Sequence, residues 1–138
     1  MFSTKHREPW ITIDIEERVW SYLAGIATQH GMSALAIGGL EDHLHLVIGI
    51  PSTLAVSRAV QLLKGGSSRW IRQTFPDLEG LGWPEGYGAF TVSKSALPAT
   101  ISYVARQRAT LQTRTFQDEF RALLDRHAIT YDARHLWS

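Results

Sequence analysis

Residues 42–51 read DHLHLVIGIP and predict a β-strand. Half of them are branched and apolar, a Gly-Gly-Leu-Glu turn cluster precedes them, and Pro51 closes the stretch. Because side chains alternate faces along a strand, Leu44 and the aliphatic residues at every second position after it would share one face and pack beneath helices. His43 and His45 would share the other face, about 7 Å apart along the strand. Two imidazoles so placed could hold a metal ion.

A His-x-His pair is weak evidence on its own. Such pairs arise by chance, and a histidine in a strand is often an ordinary polar residue that no metal contacts. A metal site therefore needs support from other parts of the chain.

Size and composition predict one soluble globular domain over residues 1–138. The chain has 138 residues, of which 44% are hydrophobic and 20% charged, and no cysteine. The missing cysteines exclude a disulfide scaffold, a thiolate zinc site and a cysteine nucleophile. No apolar run approaches the ~20 residues that span a bilayer, and residues 5–8 interrupt any signal peptide. We therefore expect a cytoplasmic protein without a membrane partner.

The net charge is only +1, yet the charges are unevenly distributed. Residues 51–76 and residues 86–117 contain no Asp or Glu, and each window carries four basic residues. Such segregation favours a surface that faces phosphates, although helices with solvated arginine faces would show it too. The candidate DNA contacts are Lys64, Arg69, Arg72 and Lys94.

Hydrophobic periodicity and Gly or Pro punctuation predict the order β-α-β-β-α-β-α, followed by a fourth helix. The elements are an edge strand within 1–5, a helix over 14–30, a strand over 32–38, the histidine strand, a helix ending at 75, a strand over 88–95, a helix over 97–110 and a helix from 115 through 124. The two central strands should form an antiparallel hairpin.

The second helix raises two local questions. Ser52 or Thr53 can supply its N-cap. Gly65 and Gly66 lie in its middle, where each weakens a helix by about 1 kcal/mol relative to alanine. Either the helix breaks there, or the small residues let another backbone approach closely.

Tyr103 and Gln107 lie four residues apart on the third helix and therefore face the same way. A tyrosine on a helix is usually core filler with its hydroxyl at the edge. Alternatively, Tyr103 is a nucleophile. A phenol has an ordinary pKa of about 10, so it needs a nearby cation or base to attack at neutral pH. A metal held by two imidazoles and the Gln107 amide oxygen could polarise a phosphate and ease that attack.

Five blocks in this order carry a more specific resemblance. They are residues 43–45 (HLH), 64–69 (KGGSSR), 86–95 (GYGAFTVSKS), 103–107 (YVxxQ) and 115–120 (TFxxEF). Together they closely resemble the single-tyrosine HUH transposases of the insertion-sequence 200/605 type, over essentially the whole chain.

The resemblance implies an α+β fold: a ferredoxin-like two-layer sandwich, in which helices pack on an antiparallel sheet. It implies that His43, His45 and Gln107 bind Mg²⁺ or Mn²⁺, and that Tyr103 attacks single-stranded DNA. The attack would leave a 5′-phosphotyrosine link and a free 3′-hydroxyl. The implied partners are single-stranded DNA with hairpins at the element ends and a second copy of the chain, whose tyrosine can be supplied in trans. A bacterial or archaeal cytoplasm, at the nucleoid, would be the setting.

Two features depart from the family pattern. Thr110-Leu111 stands where the family commonly has a His-His pair, and the first strand, which includes residues 2–7, is shorter than usual. Imidazoles also generally favour zinc, copper or iron, whereas Mg²⁺ and Mn²⁺ prefer oxygen ligands. The amide oxygen, phosphate oxygens and water would have to complete a hard coordination shell.

Two other functions remain open. A catalytically silent relic could bind single-stranded nucleic acid, with Trp70, Tyr87 or Phe90 available for base stacking. A metal-dependent hydrolase is disfavoured, because the barrel hydrolases that carry His-x-His need about 250 residues. Asp42 could orient a ligand histidine through its second ring nitrogen, or it could simply be a turn residue.

Overall fold

A computed structural model describes residues 1–78, 80, 82–84, 86–107 and 121–124. Its elements are β1 (Phe2–Ser3), α1 (Glu16–Gln29), β2 (Ser33–Leu40), β3 (His43–Gly49), α2 (Val56–Thr74) and α3 (Leu97–Ala105), with short 3₁₀ turns at Lys5–Arg7 and Pro76–Leu78. Residues 121–124 are also helical and belong to the predicted fourth helix. The start of that helix at 115, Thr110-Leu111 and the 115–120 block lie outside the described residues.

The predicted α+β fold is confirmed, and β3 occupies its centre. The sheet has the order β1-β3-β2, and both pairings are antiparallel. Leu40 pairs with His43, so only Glu41 and Asp42 connect β2 to β3 in the predicted hairpin. In the same register Gly38 lies opposite His45. None of the helices in the described part of the chain is long and apolar enough to cross a membrane.

The aliphatic face of β3 forms the main core with α1 and α2. Leu44 is fully buried, and it clusters with Leu23 of α1 and with Leu63 and Ile71 of α2. Burying each such side chain contributes about 1.5–3 kcal/mol relative to leaving it exposed. The alternation predicted for the strand is therefore confirmed, since its aliphatic residues pack beneath two helices.

The helix α2 runs unbroken through its two glycines, which excludes a break there. A Cβ built on Gly66 would lie 2.9 Å from Cδ1 of Ile26, so the glycine admits a side chain of α1 rather than a backbone. The predicted cap by Ser52 or Thr53 is wrong. The amide of Leu54 donates to the carbonyl oxygen of Pro51 in a turn, which delays the helix until Val56.

The strand predicted over residues 88–95 is wrong. Within it, Gly88 exchanges two backbone hydrogen bonds with Met1, at 2.9 and 3.0 Å, in the manner of an antiparallel pair beside β1. Residues 89–93 continue without a strand. Because β1 is only two residues long, it offers little edge for a fourth strand to pair with.

Candidate active site

The third helix, α3, packs on the histidine face of the sheet, opposite the face covered by α1 and α2. It begins at Leu97 with Pro98 in its first turn, as predicted. The predicted end at 110 is wrong, because α3 ends at Ala105 and Gln107 lies two residues beyond it. Its closest approach is at Gly38, where an added Cβ would collide with the carbonyl oxygen of Val104 and lie 3.1 Å from the carbonyl carbon. Only glycine therefore lets α3 sit this close to the sheet.

This docking brings the four predicted catalytic and metal-binding residues together. The rings of His43 and His45 have centroids 5.6 Å apart and stand nearly perpendicular, at 81°. The ring of Tyr103 lies 6.0 Å from that of His45. Gln107 is 1% exposed, and its Cγ lies 3.7 Å from the Cβ position built on Gly38, the residue opposite His45.

Several polar atoms of this cluster are buried. Nε2 of His43, Nε2 of His45 and Oε1 of Gln107 are all shielded from solvent. The Gln107 amide nitrogen donates a long hydrogen bond of 3.4 Å to the carbonyl oxygen of Tyr103, whereas its oxygen accepts none within the described part of the chain. A buried polar atom without a partner costs about 1–3 kcal/mol, so a cation that this oxygen could coordinate would remove the penalty.

Asp42 contacts His43 directly. Its Oδ1 lies 2.8 Å from Nδ1 of the imidazole, and the carboxylate side chain is 31% exposed whereas the ring is 1% exposed. A proton on Nδ1 would be donated to the carboxylate, which leaves Nε2 as the acceptor and fixes the ring orientation. Asp42 is thus both a turn residue and a residue that can orient a ligand.

Among the residues described, no three His, Cys, Asp or Glu side chains come together as a group that could hold a metal ion. The cluster formed by β3, α3 and the segment just after α3 differs from such groups because its third potential ligand is a glutamine. An amide oxygen is a hard, neutral ligand of the kind that Mg²⁺ and Mn²⁺ accept. Two imidazole nitrogens and one amide oxygen therefore remain a chemically reasonable donor set.

Comparison with known proteins decides the family. The family model for IS200-like transposases matches residues 1–107, which include both histidines, Tyr103 and Gln107. The chain belongs to this transposase family. It is 25% identical over 112 residues to the ISDra2 transposase TnpA of Deinococcus radiodurans, an alignment that covers 78% of this chain and 80% of the relative.

A solved structure supports the same assignment. The crystal structure of a candidate transposase from Deinococcus radiodurans R1 superimposes with a TM-score of 0.64 and 28% sequence identity. The superposition covers 77% of this chain and 85% of that one. The transposase fold is therefore shared over most of both chains.

The four candidate DNA contacts of this transposase lie at separate places. Arg69 and Arg72 are exposed on α2, on the far side of the sheet from Tyr103, and Lys94 is exposed just before α3. The Lys64 ammonium is engaged with the protein. It donates to the carbonyl oxygens of Pro84 and Gly86, at 2.6 and 2.8 Å, and lies 5.1 Å from the ring centroid of Phe2. All four remain predictions as DNA contacts.

Sequence reasoning missed Gly38. The sequence predicts that the strand ends at Gly38 and that Gly39 belongs to the turn, yet both residues lie within β2. The register supplies the signal that could have found it. With a two-residue turn at 41–42, Gly38 lies directly opposite His45, where a missing side chain leaves room for a helix over the histidine face.

Proposed function

We propose that this transposase cleaves and rejoins single-stranded DNA through Tyr103. The phenolic oxygen attacks the scissile phosphorus, an O–P bond forms, and the bond from phosphorus to the 3′-oxygen breaks. The phenol loses its proton to solvent, and the departing 3′-oxygen gains one. The products are a 5′-phosphotyrosine link and a free 3′-hydroxyl. Attack of a 3′-hydroxyl on this link is the reverse step, which releases Tyr103 and rejoins the DNA. The observation that carries the proposal is the position of Tyr103 beside the histidine pair.

His43, His45 and Gln107 would hold a divalent metal ion, Mg²⁺ or Mn²⁺. The fit rests on the buried oxygen of Gln107, which accepts no hydrogen bond from the described residues, and on two imidazoles placed side by side on one strand. When bound, such an ion supplies positive charge that withdraws electrons from the scissile phosphate. Asp42 keeps the His43 ring in place, and Gly38 keeps the tyrosine helix against the histidines.

The substrate and the assembly follow from the family likeness together with the charge pattern. We propose that the strand carries hairpins near the element ends, and that Lys64, Arg69, Arg72 and Lys94 contact its phosphates. Binding should then weaken with salt as condensed counterions return to the DNA. We also propose that the enzyme works as a homodimer at the nucleoid of a bacterial or archaeal cytoplasm. Within one chain Tyr103 already lies beside His45, so the trans arrangement requires α3 to leave this position.

Two observations favour a second function, a silent relic that only binds single-stranded nucleic acid. Nε2 of both histidines and Oε1 of Gln107 are shielded from solvent, and the family's His-His pair is replaced by Thr110-Leu111. A relic would bind DNA in a salt-dependent way without forming a covalent adduct.

A denaturing-gel assay separates these functions. The unmodified protein and Tyr103→Phe are incubated with labelled single-stranded DNA from the flanks of the gene, with Mn²⁺ or with EDTA. We expect a protease-sensitive shifted band that needs Mn²⁺ and the Tyr103 hydroxyl. Binding without any adduct would indicate the relic, and cleavage that survives in Tyr103→Phe would mean that water is the nucleophile.

A further inference from the structure

Two aromatic rings stack on the outer side of α1 and α2. Tyr22 of α1 and Trp70 of α2 have ring centroids 4.4 Å apart, with only 7° between their planes. Tyr22 remains 37% exposed despite this contact. The two residues contribute to the lining of a shallow hollow that is open to solvent.

Positive charge is held beside this stack. The Arg18 guanidinium lies 4.9 Å from the ring centroid of Phe75 and 6.0 Å from that of Trp70. Arg69 and Arg72 are also exposed on α2, one residue before and two residues after Trp70 in the chain, in the window that contains no acidic residue. Glu17 is the one carboxylate among the described residues that line the hollow. Arg18 offsets Glu17 in the lining, and the basic residues of the acid-free α2 add positive charge on that helix, which suits a polyanion.

We propose that the Tyr22–Trp70 stack is a base-stacking site for unpaired nucleotides of single-stranded DNA, an inference that rests on the proposed function. Flat aromatic faces beside arginines are what single-strand binding surfaces offer, since every base has a π-face and every linkage has a phosphate. The charge complementarity of the acid-free α2 favours nucleic acid over an apolar protein partner. The stack thus joins α1 to α2 and offers its exposed side to a base.

The location determines which part of the DNA could bind. Tyr103 lies on the histidine face of the sheet, whereas α1 and α2 cover the opposite face. The scissile nucleotide cannot occupy both places, so the stack would hold DNA that flanks the cleavage point. A strand bound at both sites would have to pass around an edge of the sheet.

The test measures affinity in a background that cannot form the proposed adduct. Tyr103→Phe, alone and combined with Tyr22→Ala, is titrated into fluorescently labelled oligothymidine in EDTA, and anisotropy is recorded. We expect Tyr22→Ala to weaken binding roughly tenfold, the loss typical of one stacked base. Tyr22→Phe is the matched control, because it keeps the ring and loses only the hydroxyl, and it should retain affinity.

A second substrate separates stacking from charge. An oligonucleotide of the same length with abasic sites keeps the phosphates and loses the bases, so Tyr22→Ala should not change its affinity. Circular dichroism and thermal melting verify that the variant is folded. If Tyr22→Ala fails to fold, Tyr22→Leu keeps apolar volume against Trp70 without a π-face and should show the same tenfold loss.

Unchanged oligothymidine affinity in a folded Tyr22→Ala or Tyr22→Leu protein would overturn the inference. An equal loss on the abasic strand would overturn it too, because the effect would then not involve bases. The proposed function is scored separately, by adduct formation in the unmodified chain. An adduct without a Tyr22 effect contradicts only the stacking site, and a Tyr22 effect without an adduct contradicts only the nucleophile.

Discussion

The two faces of the sheet are both buried, yet they are built for different purposes. The Leu44 face packs aliphatic side chains against α1 and α2, in a core that is mainly apolar. The face with His43 and His45 is covered by α3 and buries imidazoles, an amide and a glycine. Burying polar groups is costly unless something satisfies them. We infer that contacts on the Leu44 face provide most of the stability, whereas the histidine face is less stable because it buries the polar groups of the candidate active site.

The largest expected effect comes from the apolar face. Leu44→Ala removes a fully buried side chain from the centre of the core and should lower the free energy of unfolding by about 2–5 kcal/mol. Urea denaturation followed by circular dichroism measures this. His45→Leu is the matched change on the other face and should alter stability without metal by less than about 1.5 kcal/mol, since volume is roughly kept.

The Leu44→Ala and His45→Leu variants also test whether the two faces of the sheet have different roles. Mn²⁺ should raise the melting temperature of the unmodified protein, because a ligand that binds only the folded state stabilises it, and His45→Leu should lose that increase. A destabilisation by His45→Leu as large as that by Leu44→Ala would show that both faces serve stability alike.

The next largest effect is expected at Gly38, where α3 contacts the sheet most closely. Gly38→Ala places a methyl group against the Val104 carbonyl, which should push α3 from the sheet at a cost of about 1–3 kcal/mol. Because Tyr103 and Gln107 move with α3, both adduct formation and Mn²⁺ affinity should fall together. Electron paramagnetic resonance of Mn²⁺ measures the affinity independently of the gel assay. Full activity in Gly38→Ala would mean that the docked position of α3 is not the reactive one.

A smaller effect is expected from the carboxylate behind His43. Asp42→Asn weakens the contact to Nδ1 and should reduce metal affinity about 10–100-fold, as losses of such supporting partners do. Isothermal titration with Mn²⁺ gives the affinity, and the exposed Asp14→Asn is the charge control. Equal Mn²⁺ affinities for Asp42→Asn and Asp14→Asn would show that Asp42 does not support metal binding and is only a turn residue.

Much of this arrangement could be predicted because it depends on short stretches of sequence. The alternation in β3 separates Leu44 from His43 without any knowledge of the partners, and the order strand, turn, strand predicts the antiparallel hairpin, although its turn has only two residues rather than the four expected. The four-residue spacing of Tyr103 and Gln107 predicted that they lie together, although α3 ends at Ala105 and Gln107 lies two residues beyond it.

What could not be predicted depends on contacts between distant segments. The strand expected at 88–95 has a suitable composition but lacks a long β1 to pair with. The Lys64 ammonium, expected at the surface, lies against the carbonyls of Pro84 and Gly86. Gly38 is informative only once α3 is known to cross it.

The smallest expected effect comes from a glycine on the exposed side of α2, the helix that packs on the apolar face. A Cβ built on Gly65 meets no other atom of the described residues within 4 Å, and the glycine lies inside α2. Gly65→Ala should therefore stabilise the protein by about 0.4–1 kcal/mol, because alanine loses less backbone entropy on folding. Thermal melting measures the gain, while adduct formation and Mn²⁺ affinity should not change. Loss of either adduct formation or Mn²⁺ affinity would mean that a change in α2 affects the site on the histidine face. The two faces would then not have independent roles.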